Sequence, residues 1–277
     1  MASTNTKAAA ETQEKKFDWH QIKSFLPIIS FVAIVAIFAI LTGGALVTPR
    51  NITLIISGGF TLMIATVGVY MIMSMGCLDF SQGSMMGLSC AVVCFLSQYN
   101  PILAILGGMA TGALIGLINA LFHVKGQVQS FVVTMCMMFL LRGVIAYITT
   151  ASPVYAATYL TALATNTPLL IGIVVAVLVV AYLVLHFTAL GSNLKAIGAS
   201  ESGARFAGIN VQRTKIIIYV VAGAITGFAA LINAIRIGSV TSQAGNMLET
   251  QILIALVLGG MPINGGARSR FSSVVTG

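Results

Sequence analysis

Long runs of apolar residues, separated by short polar connections, dominate the sequence. Most of these runs are close to the ~20 residues that a helix needs to cross the hydrocarbon core of a membrane. They are continuous and lack the alternation of barrel strands, which favours helices. The runs lie near residues 25–47, 52–75, 83–98, 102–122, 131–149, 168–187, 214–234 and 250–263, and a ninth begins at Phe271. The pattern predicts an all-α fold, a polytopic transmembrane helical bundle of about eight or nine spans.

Two runs, 83–98 and 250–263, are too short for a full span and contain or adjoin glycine. Either one could be a broken or re-entrant helix, so the predicted number of spans carries a margin of about one. Residues 1–24 are polar and mixed in charge, which is typical of a solvated tail. We therefore divide the chain into a tail, 1–24, and a transmembrane domain, 25–277.

The composition excludes a water-soluble globule, because 58% of the residues are hydrophobic and only 7% are charged. A net charge of +8 can indicate nucleic-acid binding, but here the basic residues are sparse and lie between apolar runs. They mark topology instead. One set of alternate connections carries Lys15, Lys16, Lys23, Lys125, Lys195, Arg205, Arg213, Lys215, Arg268 and Arg270, and the other set carries only Arg50 and Arg236. This asymmetry predicts a cytoplasmic N-terminus.

Residues that could perform chemistry are scarce. The four cysteines lie in apolar runs, and we interpret them as buried small hydrophobes; neither they nor the three histidines have metal-site spacing. The sequence contains no GxxxxGK[ST] loop for nucleotide phosphates, and the spans contain no HExxH or GxSxG motif. We predict no catalytic residue, no cofactor and no metal.

Small residues recur at every fourth position in several runs, a spacing that lets helix backbones approach closely in lipid. They are Ala104, Gly108, Gly112, Gly116 and Ala120 in one run, Gly83 and Gly87 in a second, and Gly223 and Gly227 in a third. We interpret these stripes as helix-packing surfaces.

Two connections are longer than the rest. Thr149–Thr167 is polar and uncharged; it is either an extracellular cap that faces an incoming ligand or a surface loop without a ligand role. The cytoplasmic connection 190–215 contains a short amphipathic pattern between Gly198 and Gly208, with Ser200 as N-cap and Glu201 in the first turn. It is either a knob for a cytoplasmic partner or an ordinary interfacial helix.

This connection resembles the cytoplasmic loop of the permeases of bacterial ABC importers for ribose, xylose, galactose and autoinducer-2. Further motifs resemble the same family in the same order, over about residues 50 to 270. The matching motifs are Asp79-Phe80-Ser81-Gln82-Gly83-Ser84, Gly116-Leu117-Ile118-Asn119-Ala120-Leu121, Phe131-Val132-Val133-Thr134 followed by Arg142-Gly143, Ala196-Ile197-Gly198 with Lys215 and Tyr219, and Leu256-Val257-Leu258-Gly259-Gly260.

The resemblance implies a membrane permease subunit that forms the translocation pathway for a monosaccharide or related small polar solute in the bacterial inner membrane. A second permease subunit, identical or paralogous, two cytoplasmic ATPase subunits and an extracytoplasmic sugar-binding protein would be its partners. Family members have about ten spans, so we expect one or two spans to be missing after Gly277. The docking residues would be Gly198, Glu201, Ala204, Arg205, Ala207, Gly208, Ile209 and Asn210, with Glu201 and Arg205 making polar contacts.

Polar residues within the runs are candidates for the pathway or for structural contacts: Asp79, Asn119, Thr134, Arg142, Asn233 and Glu249. A charge such as Arg142 inside a span costs about 2.5 to 3.5 kcal/mol, so it must face a partner or water. Asp79 should pair with a basic group or cap the helix that follows it. An ion-coupled transporter is the alternative function; it needs acidic residues in mid-span, and we assign none clearly to that depth.

Overall fold

The computed structural model describes residues 32–262, 265, 266, 269 and 271–277, and it is almost entirely helical. The predicted tail, the start of the first run and the topology markers Arg268 and Arg270 lie outside the described residues. The helices are α1 (Val32–Leu41), α2 (Pro49–Ser74), α3 (Gln82–Ser97), α4 (Pro101–Ala120), α5 (Ser130–Ile148), α6 (Thr158–Ala162), α7 (Thr167–Phe187), α8 (Ala189–Ala199), α9 (Glu201–Phe206), α10 (Val211–Ile237), α11 (Leu248–Leu258) and α12 (Ser272–Thr276). Two short strands are β1 (Val154–Tyr155) and β2 (Ser239–Val240).

Five described helices are long and apolar enough to cross a membrane: α2, α4 with the π-helical turn Leu121–Lys125, α5, α7 and α10. Helices α1, α3 and α11 are apolar but shorter. The predicted all-α transmembrane bundle is confirmed, and α3 and α11 fall where the sequence predicted short or broken helices. The run from Phe271 yields only the five-residue α12 within the described residues.

Internal contacts divide the chain into two units, Met1–Ile52 and Thr53–Gly277. The described part of the first unit contains α1 and a 3-10 turn, Ala45–Val47. The second unit is a helical bundle built around α3, α4 and α10. Helix α10 is its centre: 61% of an apolar 18-residue stretch of α10 is buried, against 17% of the corresponding stretch of α7.

Glycines bring α4 and α10 together, and these glycines lie in the small-residue stripes that the sequence predicted as packing surfaces. A Cβ atom at Gly112 would lie 2.0 Å from the carbonyl oxygen of Gly223, and one at Gly227 would lie 2.1 Å from that of Gly108. These distances are too short for any side chain, so the two backbones touch directly. In lipid, such close contact replaces the hydrophobic effect as the source of helix association.

Three of the four cysteines, Cys77, Cys90 and Cys94, are buried as small core residues. Cys136 is exposed, so the prediction that all four are buried was wrong for this one. It lies on α5 near Phe139 and Leu140, which are also exposed. This face of α5 is apolar and outward-facing, a setting that a thiol tolerates as well as a methyl group does.

The connection Thr149–Thr167 is folded rather than irregular. It contains β1 and α6, and β1 pairs with β2 in antiparallel register, Val154 opposite Val240. The hydroxyl of Ser97, at the end of α3, accepts a hydrogen bond from the backbone N–H of Ala157 at 2.9 Å. The Tyr159 hydroxyl donates to the carbonyl oxygen of Ser97 at 2.7 Å. These bonds fix the connection over the C-terminal end of α3.

Candidate functional site

The N-termini of the two short helices, α3 and α11, meet inside the bundle. A Cβ atom at Gly83, in the first turn of α3, would lie 2.4 Å from the carbonyl oxygen of Gly245, and one at Gly87 would lie 2.5 Å from that of Ala244. Glycine is therefore required for the chain before α11 to approach α3. The partial positive charges of both helix N-termini point toward this junction.

An ion pair between Arg142 and Glu249 lies at the junction. The Nη2 atom of Arg142, on α5, contacts Oε1 of Glu249 in the first turn of α11, and its Nε donates to Ser84 Oγ at 3.3 Å. Glu249 is buried, whereas 32% of the Arg142 side chain is exposed. Removing the arginine would leave an unpaired buried carboxylate, which costs about 3 to 5 kcal/mol.

The expectation that Arg142 faces a partner is confirmed, and its partner is the acidic candidate Glu249. The second carboxylate oxygen of Glu249, Oε2, is buried and makes no hydrogen bond to any described residue. A Cβ atom at Gly83 would lie 2.0 Å from this oxygen, so the carboxylate is packed against the start of α3. The ion pair thus joins α5, α11 and α3 at one point.

Asp79 lies in the link between α2 and α3, and it caps α3 instead of pairing with a cation. Its Oδ1 accepts hydrogen bonds from the backbone N–H of Ser81 at 2.8 Å and from the Ser81 hydroxyl at 2.6 Å. Its Oδ2 accepts from Gln82 Nε2 at 2.7 Å. The salt bridges of the described residues do not include Asp79, so of the two predicted roles the structure adopts the cap.

A chain of buried hydrogen bonds continues from this cap into the neighbouring helices. Asn119 Nδ2, on α4, donates to the Ser81 hydroxyl at 2.9 Å, and the Thr226 hydroxyl, on α10, donates to Gln82 Oε1. Gln82 and Thr226 were not among the predicted polar candidates, although a glutamine in an apolar run was a usable signal. The network attaches the start of α3 to both central helices.

Thr134 and Asn233 also make contacts between helices. Thr134 Oγ1, on α5, accepts a hydrogen bond from the backbone N–H of Phe80 at 3.2 Å. Asn233 Nδ2, on α10, lies 3.6 Å from Cys90 Sγ on α3. The structure thus gathers Asp79, Asn119 and Thr134 around the α2–α3 link, pairs Arg142 with Glu249, and places Asn233 apart from both groups.

Two acidic residues, Asp79 and Glu249, are buried inside the bundle. The sequence interpretation assigned no acid clearly to a mid-span position, because Asp79 lies between two apolar runs and Glu249 lies just before another. In the structure Asp79 lies just before α3 and Glu249 lies in the first turn of α11, where the bundle buries both side chains. Both acids are engaged by polar partners, and within the described residues no group of three or more His, Cys, Asp or Glu could hold a metal ion.

The connection 190–215 forms two short helices, α8 and α9, between the long spans α7 and α10. The predicted N-cap is confirmed: Ser200 Oγ accepts a hydrogen bond from the backbone N–H of Gly203 at 3.1 Å, and α9 begins at Glu201. Helix α9 ends at Phe206, and Gly208 then takes the left-handed conformation, with φ of +82°, which only glycine adopts without strain. The sequence therefore places both boundaries of α9.

Glu201 connects α9 to α10. Its Oε2 accepts a hydrogen bond from Lys215 Nζ at 2.8 Å, and its Oε1 accepts one from Arg205 Nη2 at 2.8 Å. The hydrogen bond from Lys215 is the main reason that the pKa of Glu201 is lowered from 4.5. Lys215 is buried, so its ammonium group depends on this carboxylate for compensation.

The eight predicted docking residues divide by exposure. Arg205, Ala207, Gly208 and Asn210 are exposed, Gly198, Glu201 and Ile209 are half-buried, and Ala204 is buried. Gly198 packs against α2, since a Cβ atom there would lie 2.0 Å from the carbonyl oxygen of Ser74. Phe206 was not predicted, yet it is 93% exposed and is the most exposed large apolar side chain on α9.

Comparison with known proteins identifies the family. Residues 51–277 match the profile of the family described as branched-chain amino acid transport system / permease component. The chain belongs to this permease family. The permease is 32% identical over 263 residues to the ribose import permease of Escherichia coli K12, covering 88% of this chain and 78% of that relative.

Other relatives extend the same similarity. The permease is 30% identical over 283 residues to the ribose import permease of Bacillus subtilis, covering 96% of this chain and 85% of that relative. It is 28% identical over 273 residues to the L-arabinose ABC transporter permease of Azospirillum brasilense, covering 94% of this chain and 78% of that relative. No solved structure matches the chain. The resemblance to sugar ABC permeases is confirmed, and the chain is an integral inner-membrane permease subunit.

Proposed function

We propose that this permease forms the translocation pathway for a monosaccharide or a related small polar solute, and that a separate subunit hydrolyses ATP. The observation that carries the proposal is similarity of about 30% identity to ribose and arabinose import permeases over nearly the whole chain. The family description names branched-chain amino acids. The individual relatives favour a sugar.

The proposed orientation places the N-terminus, α8 and α9 in the cytoplasm. Lys125, Lys195, Arg205, Arg213 and Lys215 all belong to the end of the bundle where α4 finishes and α10 begins. That concentration of positive charge supports a cytoplasmic location for this end. The β1–β2 pair and α6 then lie outside, where they would face a sugar-binding protein.

Helices α8 and α9 are the proposed docking element for the ATPase subunit. Arg205 and Phe206 give α9 an exposed cation beside an exposed aromatic ring, a pair typical of residues that dominate protein interfaces. Glu201 attaches this element to α10 through the hydrogen bond that it accepts from Lys215. Movement of α9 would therefore be transmitted to α10. Of the two predicted polar docking residues, this assignment leaves Arg205 to contact the partner, while Glu201 holds α9 in place.

The proposed solute pathway runs beside the junction of α3 and α11. Arg142 is the partly exposed member of the ion pair there, and its remaining N–H groups can donate to solute hydroxyls. The exposed apolar face of α5, which carries Cys136, Phe139 and Leu140, would face a second permease subunit, identical or paralogous. In an ion-coupled transporter, by contrast, Asp79 or Glu249 would need to release its partners in each cycle.

Solute uptake distinguishes the two functions. The permease is expressed with an ATPase subunit and a sugar-binding protein of an ABC sugar importer, in cells that lack their own pentose and hexose importers. Uptake of labelled ribose, allose, arabinose and fructose is measured with an intact ATPase and with one whose nucleotide-binding lysine is replaced. We expect uptake of at least one sugar, abolished by the ATPase substitution. Uptake that survives this substitution but stops with a protonophore would overturn the proposal in favour of ion coupling.

A further inference from the structure

A cavity of about 240 Å³ opens where α7 ends and α8 begins. Its lining includes the hydroxyl-bearing residues Tyr70, Ser74 and Ser269 and the basic residues His186 and Lys195. Ser74 is buried, and its Oγ has no hydrogen-bond partner among the described residues. The Ser269 hydroxyl already donates to the carbonyl oxygen of Gly266 at 2.8 Å, so Lys195 and His186 are the groups left to recognise an anion. A cation beside a ring N–H donor is chemistry that binds a phosphate group.

An apolar groove of about 380 Å³ adjoins the cavity and shares Leu185 with it. The groove follows α7 from Ala176 to Leu185 and is closed on its other side by Met71, Val221 and Ile225. The nine residue-to-residue steps from Ala176 to Leu185 correspond to about 14 Å of helix. That length is close to the depth of one leaflet, or about half of a 30 Å hydrocarbon core.

Aromatic rings mark the level of the cavity as a membrane–water interface. The ring of Tyr182 stacks on that of His186, with centroids 5.3 Å apart, and lies 5.8 Å from the ring of Phe271. Tyrosine rings concentrate where headgroups meet hydrocarbon. With the cavity at headgroup level, the groove would lie at the level of the acyl chains.

We propose that the cavity and the groove together bind one anionic phospholipid, with its phosphate beside Lys195 and one acyl chain along α7. A free phosphate ion would occupy only the cavity, and a hydrophobic segment of protein would leave the cation of the cavity, Lys195, without an anionic partner. Only an amphipathic anion would fill both the cavity and the groove. The leaflet would be the cytoplasmic one under the proposed orientation, where anionic lipids and basic residues meet.

Native mass spectrometry of the purified permease tests the site. The protein is reconstituted in vesicles of phosphatidylglycerol and phosphatidylcholine, extracted in mild detergent, and its retained lipid is counted. We expect one retained phosphatidylglycerol, reduced about five- to tenfold by Lys195→Glu combined with His186→Ala. Ala181→Trp, which fills the groove, should reduce it to a similar extent.

Two matched controls locate the effect. Lys125→Glu changes a cation at the same end of the bundle outside the cavity, and Val179→Trp adds the same bulk on the exposed face of α7. Both should keep the lipid, and thermal unfolding should confirm that all variants fold. Equal retention in cavity and control variants, or no preference over phosphatidylcholine, would overturn the proposal. So would displacement by millimolar inorganic phosphate together with no effect of Ala181→Trp, because the occupant would then be a free anion.

Discussion

Glu201 and Lys215 form an ion pair at 2.8 Å that ties the short helix α9 to the long helix α10. Lys215 is buried, whereas 43% of the Glu201 side chain is exposed, so the lysine is the member that needs the pair. Arg205 shares the same carboxylate from the surface. The predicted docking helix is therefore fixed to the bundle through one acidic residue. A partner that binds α9 would contact a helix that this ion pair holds against α10.

The stability of α9 should depend on pH through Glu201. Its pKa is lowered from 4.5 in the folded chain, so its stabilisation is fully present above pH 4.5 and is lost as the pH falls through the lower folded value. Hydrogen exchange of residues 201–206 should be faster in Glu201→Gln than in wild type at neutral pH. The difference should shrink below pH 4.5. Arg205→Gln, which removes only the exposed partner, should have a smaller effect; equal effects would contradict this ranking.

The ion pair between Arg142 and Glu249 should show strong energetic coupling. Glu249→Gln and Arg142→Gln should each lower the midpoint of thermal unfolding, and the double variant should lose less than the sum of the two. We expect a coupling free energy of about 1 to 3 kcal/mol from this double-mutant cycle. Additive losses would mean that the two side chains do not stabilise each other.

Gly83 should be intolerant of the smallest side chain. A methyl group there would lie 2.0 Å from Glu249 Oε2 and 2.4 Å from the carbonyl oxygen of Gly245, so Gly83→Ala should destabilise the protein by about 1 to 3 kcal/mol. Gly143→Ala is the matched control, because no atom lies within 4 Å of its added Cβ. Thermal unfolding should show no loss for the control, and a slight gain is consistent with the higher helix propensity of alanine.

Docking of the ATPase should depend on the exposed side chains of α9. Phe206→Ala and Arg205→Glu should each reduce co-purification of the ATPase about tenfold or more, since interface anchors contribute 2 kcal/mol or more. Phe187→Ala removes a ring of comparable exposure at the end of α7 and should leave co-purification unchanged. Retention of the ATPase by both α9 variants would remove the docking assignment and leave an ordinary interfacial helix.

Cysteine labelling tests the orientation. Cys136 is first replaced by serine, because it is the exposed native cysteine. Single cysteines are then placed at the exposed positions Ser202 on α9 and Tyr155 in β1. A membrane-impermeant maleimide should label the Tyr155 variant on intact spheroplasts and the Ser202 variant only after permeabilisation. The opposite pattern would reverse the proposed topology.

Local patterns were sufficient for the long helices of this fold. Residues 102–122 and 214–234 were recognised as spans because apolar length is a property of the chain alone. The start of α9 was also predictable from local sequence, since the cap Ser200 accepts its hydrogen bond from Gly203, only three residues away. The spacing of glycines also predicted which faces of α4 and α10 would pack, although not that these two helices would be partners.

The sequence by itself determined the class of the protein, the positions of its helices, the boundaries of α9 and the family. The tertiary structure alone decided the partners of the buried charges. Arg142 and Glu249 are 107 positions apart, and Thr226 is 144 positions from Gln82. No local pattern encodes such pairs, because they depend on which helices pack and at what depth the short helices begin. A charge in hydrocarbon must find a partner, but only the packing of the bundle decides which one it meets.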